Sequence, residues 1–395
     1  MNRDDGRVRQ LRVGSALSRE GDPTTAGREA AQEAVRHLQG ETPGLVLVFA
    51  SIRYDLPALL AGIREVTGDA PLVGATSSGQ LSDGEFLAPG EGVALMVLGG
   101  EPYQFRTHVV RGLHEDANQC GRELARAVLP SPGERAPHGA VMLLADSLAG
   151  DLPGLLAGIH HVAGAAVPVV GGAAGADRSL DVTYVFHGDE VLNDGAVGVW
   201  IGSPRPLRVV YGHGWQSDGL PLLVTKVDGT AVHEIGGRPA LDVYFEHFRS
   251  EDPLISHEGA TAGYHSAHAF GLIEPDGSQL VRGAFIDGDG LLRTFSPLPP
   301  YCAVQIMSAG PEELLAVSDT VVNDALDGAD DASVILTFSC VARMDLLADR
   351  SAEEAELLHR AAAPVSTFGF YTYGEFARTT SVSGYHNATI TALAL

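Results

Sequence analysis

The apolar positions of this chain fall into a pattern that comes back. Leu45-Val46-Leu47-Val48-Phe49-Ala50 is an unbroken apolar run, which suits a central strand covered on both faces. After it, Asp55-Leu56-Pro57-Ala58-Leu59-Leu60-Ala61-Gly62-Ile63 carries its apolar residues at helical spacing. The same order returns at Val141-Met142-Leu143-Leu144-Ala145 and Asp151-Leu152-Pro153-Gly154-Leu155-Leu156-Ala157-Gly158-Ile159, and the two helical stretches differ at one position. Both copies run on into Pro, an apolar residue, Val and Gly, at 71–74 and at 168–171. A weaker third copy has Val334-Ile335-Leu336-Thr337-Phe338-Ser339, an amphipathic stretch at 352–363, and Pro364-Val365-Ser366-Thr367-Phe368-Gly369. Self-similarity over so long a period marks a repeated structural unit. The strands at Leu45, Val141 and Val334 are expected to be equivalent core strands, each packed on the helix that follows.

The rest of the chain fits around these units. Asp22 and Thr24-Thr25 offer caps for a helix whose apolar face is Ala30, Ala31, Ala34, Val35 and Leu38. Helices at 116–128 and 311–326 take the same place ahead of the other two core strands. Residues 222–235 predict a hairpin around Asp228-Gly229, and 280–295 a second around Asp287-Gly288-Asp289-Gly290. Residues 250–270 have no clean period and predict a long loop. The sum is an α/β fold of mixed sheets with packed helices, built from about three related strand-helix-strand units. Two domains are expected: 1–235, holding two of the units, and 236–395.

Composition narrows the function. With 395 residues, 45% hydrophobic and 19% charged, the chain is ordinary for a globular protein of two or more domains. A net charge of -24 argues against nucleic acid or an anionic membrane as partner, since both need clustered Lys and Arg. No apolar run approaches the ~20 residues of a transmembrane helix. Cys120, Cys302 and Cys340 are odd in number and far apart, so a reducing cytoplasm is the expected setting. Lys226 is the only lysine, which leaves Schiff-base chemistry one candidate. No Gly-x-Ser-x-Gly elbow, Walker A loop, Gly-x-Gly-x-x-Gly fingerprint or His-Glu-x-x-His occurs.

Several motifs resemble one family. Gly74-Ala75-Thr76-Ser77-Ser78-Gly79 resembles the N-terminal motif of FIST sensory proteins. Thr225-Lys226-Val227 through Gly237-Arg238-Pro239-Ala240-Leu241-Asp242-Val243-Tyr244 resembles the segment that joins the FIST halves. Phe338-Ser339-Cys340-Val341-Ala342-Arg343, Gly369-Phe370-Tyr371-Thr372-Tyr373-Gly374-Glu375 and His386-Asn387-Ala388-Thr389 resemble the C-terminal half. The resemblance implies a cytosolic module that senses a small ligand, such as an amino acid, and acts in signal transduction. Some members are haem-binding nitric oxide sensors. No output domain is recognisable in the sequence, so a separate signalling protein is the expected partner.

Candidate site residues follow. Glycine turns after strands let backbone amides face a ligand, and open α/β sheets bind ligands beyond the carboxyl ends of their strands. Thr76, Ser77 and Ser78 in the first turn, and Tyr371, Tyr373 and Glu375 in the third, are polar groups that a packing turn does not require. The second turn, with its alanines, reads as structural. Arg343 is placed to grip a carboxylate, and a cation nearby lowers a thiol pKa, which makes Cys340 a candidate. Asn387 joins the set through the family motif. The first and third turns are expected to face one cleft between the halves, with Arg343 close by, Glu375 taking an amine and the tyrosines forming walls. If haem or another metal is bound, His213, His257, His265 and His268 are the candidate ligands. An enzyme recruited from the same scaffold has only Cys340 and Ser77 as nucleophiles.

Overall fold

The computed structural model describes residues 10–395, apart from 132, 135, 248–254, 257–262, 276 and 379–383. It is a mixed α/β fold with four sheets. The three sequence copies fold alike. Strand Pro43–Ala50 lies parallel to Leu72–Thr76 and antiparallel to Val93–Gly99. His138–Ala145 sits in the same way between Val169–Ala173 and Gly195–Ser203. Val334–Cys340 sits between Ser366–Thr372 and Ile390–Ala394. All three core strands are therefore interior strands, as their apolar runs predict.

Each core strand packs on the helix behind it. Leu59, Leu60 and Ile63 of helix Leu56–Thr67 meet Val46 and Val48. Leu155, Leu156 and Ile159 of helix Leu152–Ala163 meet Val141 and Leu143. In the third unit Ala355, Leu358 and Ala362 of helix Ser351–Ala362 meet Ile335. Asp55 and Asp151 start the first two of these helices by accepting the backbone N–H of Ala58 and of Gly154. The glycine in each repeated Ala-Gly-Ile has a steric cause. A Cβ on Gly62 would stand 2.1 Å from the Thr24 carbonyl oxygen, and one on Gly158 2.0 Å from that of Asn118. These glycines let the helix behind each core strand press against the helix ahead of it.

The units also exchange strands, which the sequence pattern does not predict. The first sheet is completed by Val185–His187 and Glu190–Leu192 of the second unit. The second is completed by Glu375–Arg378 and Tyr385–His386 of the third. The third is completed by Gln80–Ser82 and Glu85–Leu87 of the first. The exchange closes a ring of three. The inner faces of all three sheets bury one common core, with Leu47 and Phe49, Met142 and Leu144, and Leu336 and Phe338 among its members. Phe49 and Phe370 bring ring centroids within 4.2 Å across it. Each such Phe contributes about 1.5–3 kcal/mol by burial.

The fourth sheet interrupts the third unit. Val209–Gly212 is an edge strand of the third sheet, as Val13–Ser18 and Gln104–Arg111 are of the other two. Between it and helix Pro311–Leu326 come eight antiparallel strands, from Gln216–Asp228 to Ala303–Ser308. Gln216–Asp228 pairs with both Ala303–Ser308 and Ala231–Ile235, which closes the sheet into a small barrel. Both expected hairpins are present in it. The long loop expected at 250–270 is corrected in part. Gly263–Ile273 is a strand paired on both sides, and Ile255–Ser256 pairs with it. It lacks a clean period because Phe270 and Leu272 face the barrel core while Ala269 packs on the other side. The position 235/236 lies in a turn of this barrel, between Ala231–Ile235 and Arg238–Pro239.

Candidate functional site

The pairings fix which positions of the three units correspond. Gly74 stands opposite Val48, Gly171 opposite Leu143 and Gly369 opposite Thr337. Counting on from there, Ser51, Asp146 and Cys340 end the core strands, and Gln80, Asp177 and Glu375 end the turns. Asp177 is held by the Ser51 hydroxyl and accepts the Gly90 N–H at 2.8 Å. Glu375 accepts the Thr372 hydroxyl, the Thr389 N–H at 3.2 Å and the Cys340 thiol.

A cavity of about 220 Å³ opens beyond the carboxyl ends of the second and third core strands, against the barrel. Ser147 and Leu148 reach it from the end of the second core strand, and Arg178 and Leu180 from the segment after the second turn. Cys340, Val341, Ala342 and Asp345 come from the end of the third core strand and its short helix Val341–Leu347. Tyr373, Tyr385, Asn387 and Ala388 complete the wall, with Gly283 and Phe295 from the barrel. Of the expected site residues, the structure therefore brings Cys340, Tyr373 and Asn387 together here, with Glu375 bonded behind Cys340.

Arg343 does not face this space. Its guanidinium is fully buried and donates to the Ser339 hydroxyl at 3.2 Å, the His213 carbonyl at 3.2 Å, the Leu314 carbonyl at 3.0 Å and the Ser318 hydroxyl at 2.7 Å. It also pairs with Glu354, which is itself fully buried and accepts the Tyr371 hydroxyl at 2.6 Å. Burial works to raise the Glu354 pKa, but Arg343 and the Tyr371 and Ser318 hydroxyls outweigh it and hold the group below the usual carboxylate range. Burial, then Glu354, push the Tyr371 phenol up. Arg343 and Tyr371 thus bind the third unit's helices and strands together. Thr76, Ser77 and Ser78 are also wholly buried and do not line the cavity, though Ser78 bonds Tyr373 of its wall from behind. Thr76 donates to the Tyr184 carbonyl at 3.3 Å and Ser77 to that of Ala50 at 3.2 Å, and the Ser78 N–H donates to the Tyr371 carbonyl at 3.0 Å. Of the cleft expected between the first and third turns, the third supplies Tyr373 to the cavity wall, while the first packs behind it.

Arg178 and Asp345 went unnoticed in the sequence. Arg178 sits just past the turn whose alanines looked structural. Asp345 stands two positions past Arg343, just beyond the stretch already singled out. The two side chains form an ion pair in the cavity wall, and the carboxylate is 2% exposed. Burial pushes Asp345 up to about 6, with Arg178 working against the rise. Asp177 and Arg178 have φ of 47° and 76°, so two consecutive non-glycine residues take left-handed backbone at the cavity wall.

The FIST N domain family matches residues 44–238, and the FIST C domain family matches residues 240–378. The chain belongs to the FIST family. An uncharacterized protein of Mycobacterium tuberculosis is 30% identical over 242 residues, which is 58% of this chain and 58% of that protein. One of Mycobacterium bovis is 28% identical over 262 residues, 62% of this chain and 63% of its own length. One of Methanocaldococcus jannaschii is 34% identical over 80 residues, 20% of this chain and 16% of that protein. The match therefore spans less than two thirds of each of these relatives. FIST membership implies a sensory role in signal transduction through a small ligand.

The haem found in some FIST proteins does not fit the described histidines. His213 accepts the Trp215 N–H on Nδ1 at 3.0 Å, and burial, with Arg343 nearby, pushes it down to about 4. His268 is buried in strand Gly263–Ile273, and its carbonyl accepts the Tyr244 hydroxyl at 3.1 Å. Neither borders the cavity. His257 and the side chain of His265 lie outside the described residues. Among the described residues no group of three or more His, Cys, Asp or Glu is arranged to hold a metal ion, and no helix is long and apolar enough to cross a membrane. The nucleophile candidates sit in unreactive settings. Burial, then the Glu375 charge, push the Cys340 thiol well up, and Ser77 is enclosed.

Burial pushes Glu375 up to about 8, against the bonds from Thr372, Cys340 and Thr389. A carboxyl raised in the folded state holds its proton there longer than in the unfolded chain. Stability then falls as pH rises from about 4.5 to about 8 and levels off above. Glu375→Gln should remove part of that fall. At pH 9 the variant is expected to be more stable than the parent by on the order of 2 kcal/mol. Urea unfolding at pH 5, 7 and 9 measures it, and an unchanged pH slope would count against a proton on Glu375.

Proposed function

We propose that this FIST protein senses a small molecule, an amino acid or small carboxylate, bound in the cavity, and passes the signal to a separate protein. The observation that carries this reading is the wall itself. An Arg178–Asp345 pair, its carboxylate buried and its guanidinium partly exposed, stands beside Cys340, Tyr373, Tyr385 and Asn387, at the carboxyl ends of the core strands. Open α/β folds place ligands there, and pockets between domains commonly combine an apolar lining with a few fixed polar groups. Ser147, Leu148, Arg178 and Leu180 come from residues 1–235 and the rest of the wall from 236–395, which supports a ligand held between the two halves. Arg178 takes the carboxylate role that the sequence pattern suggests for Arg343, and Asp345 the amine role suggested for Glu375.

A thermal-shift screen over amino acids and small carboxylates tests the reading, because a ligand selective for the native state raises the melting temperature. Arg178→Gln should weaken a carboxylate ligand by about 1.5–3 kcal/mol, the usual worth of a charged hydrogen bond. A screen in which nothing shifts the melting temperature, or an Arg178→Gln protein that responds like the parent, would defeat it. A Soret band in the purified protein would replace it with the haem reading.

A further inference from the structure

The cavity wall joins exposed apolar side chains to an ion pair. Leu148, Leu180 and Phe295 border it and stand 44%, 45% and 47% exposed, although large apolar side chains are normally covered. They come from three separate segments: the loop after the second core strand, the stretch after the second turn and the barrel. The Arg178–Asp345 pair lies in the wall, and the same two residues also line a second cleft of about 310 Å³, beside Phe86, Met344 and Ser351. An apolar lining that includes a guanidinium fits a ligand with an apolar body and an anionic head.

Such a head meets Asp345. One guanidinium then stands between two carboxylates, one of them only 2% exposed, an arrangement disfavoured by like-charge repulsion where the dielectric is low. Asp345 cannot relieve it by turning to water. It is 2% exposed and belongs to helix Val341–Leu347, which Arg343 fixes to Glu354. Across the cavity stand Cys340, Tyr373 and Tyr385, all neutral at pH 7 and each pushed up by burial. On the cleft side Phe86, Met344 and Ser351 carry no charge. Protonation of Asp345 balances the site.

We infer that the cavity takes an amphipathic monocarboxylate, its head on Arg178 and its body against Leu148, Leu180 and Phe295, and that Asp345 takes up one proton as the ligand binds. This rests on the cavity being the sensory site. Asp345 already titrates at about 6 with Arg178 beside it, and a ligand that shares Arg178 raises it further. Affinity therefore rises as pH falls toward 6, and flattens below, where the free protein already holds the proton. A zwitterionic amino acid brings no net charge and needs no proton.

Isothermal titration calorimetry with hexanoate, 3-phenylpropanoate, acetate and glycine at pH 7.5, in two buffers of different ionisation enthalpy, tests this. Hexanoate and 3-phenylpropanoate should bind at least about tenfold tighter than acetate, since each buried methylene adds to affinity. Their heats should report uptake of close to one proton. Asp345→Asn should bind them without proton uptake and with a flat profile between pH 6 and 8. Leu180→Ser, at an exposed position that folding does not need, should weaken hexanoate by about threefold to tenfold with an unchanged melting temperature. Equal binding of acetate and hexanoate, or heats independent of buffer, would overturn the inference. If glycine binds and the apolar acids do not, the inference falls while the cavity remains the sensory site. If none of the four binds and the wider screen also fails, both readings fall.

Discussion

Arg343→Ala is expected to lower stability by about 3–5 kcal/mol, the usual result of stripping one partner from a buried ion pair. The residue is fully buried, and its donors reach Ser339, His213, Leu314, Ser318 and Glu354. Removal leaves the buried Glu354 carboxylate with only the hydroxyls of Ser318, Ser339 and Tyr371. The double variant Arg343→Met with Glu354→Leu should unfold less readily than Arg343→Ala, because it leaves no buried charge. The pair's contribution also depends on pH. Glu354 is held below the usual carboxylate range, so its stabilising share is present above that range and is lost as pH falls through its folded pKa. Urea unfolding followed by circular dichroism decides the matter. An Arg343→Ala protein as stable as the parent but unable to bind ligand would restore Arg343 as a ligand group.

Gly369→Ala should be comparably severe, at about 3 kcal/mol or more. A Cβ there would stand 1.9 Å from the Thr337 carbonyl oxygen and 2.5 Å from its hydroxyl. Thr337 cannot retreat, because its strand is paired to Gly369 on one side and Ala392 on the other. Gly171 and Gly74 hold the same place in the other units, with a Cβ 1.9 Å from the Leu143 carbonyl oxygen and 2.1 Å from that of Val48. Alanine at either should reproduce the loss. Gly21→Ala is the control, since nothing stands within 4 Å of a Cβ there. Melting temperature and soluble yield give the readout. A Gly369→Ala protein that melts with the parent would mean the two strands are not so closely apposed.

These glycines also explain why the repeat was legible. The Pro, apolar, Val, Gly sequence survives at 71–74 and 168–171 because no side chain fits over the neighbouring carbonyl. The core strands were readable because burial on both faces forces unbroken apolar runs. The exchange of hairpins was not readable. Gln80–Ser82, Val185–His187 and Glu375–Arg378 look alike as short strands, and nothing in a period says which of three equivalent sheets each will join. Nor does a period show that the barrel is inserted within the third unit. At the site, Cys340, Tyr373 and Asn387 were found because they lie in dense polar motifs. Arg343 misled because an arginine past a strand end looks the same whether its carboxylate belongs to a ligand or to Glu354, in a helix further along. Arg178 was passed over because the backbone around it, not the composition of the turn before it, carries it to the cavity wall.

The ring of exchanged hairpins bears on how the chain is made. Synthesis runs from the amino end, and domains tend to fold as they emerge. The first sheet can close early, once Glu190–Leu192 is out. The second cannot. Val169–Ala173 keeps a bare edge until Glu375–Arg378 arrives, long after the strand itself has been made. Gln80–Ser82 and Glu85–Leu87 must wait as long for Ser366–Thr372. An unpaired apolar edge is a template for association with other chains, and pairings this distant in sequence form slowly. Each ribosome-bound copy is therefore exposed to aggregation until Glu375–Arg378 emerges, and a product truncated before Glu375 keeps that open edge permanently.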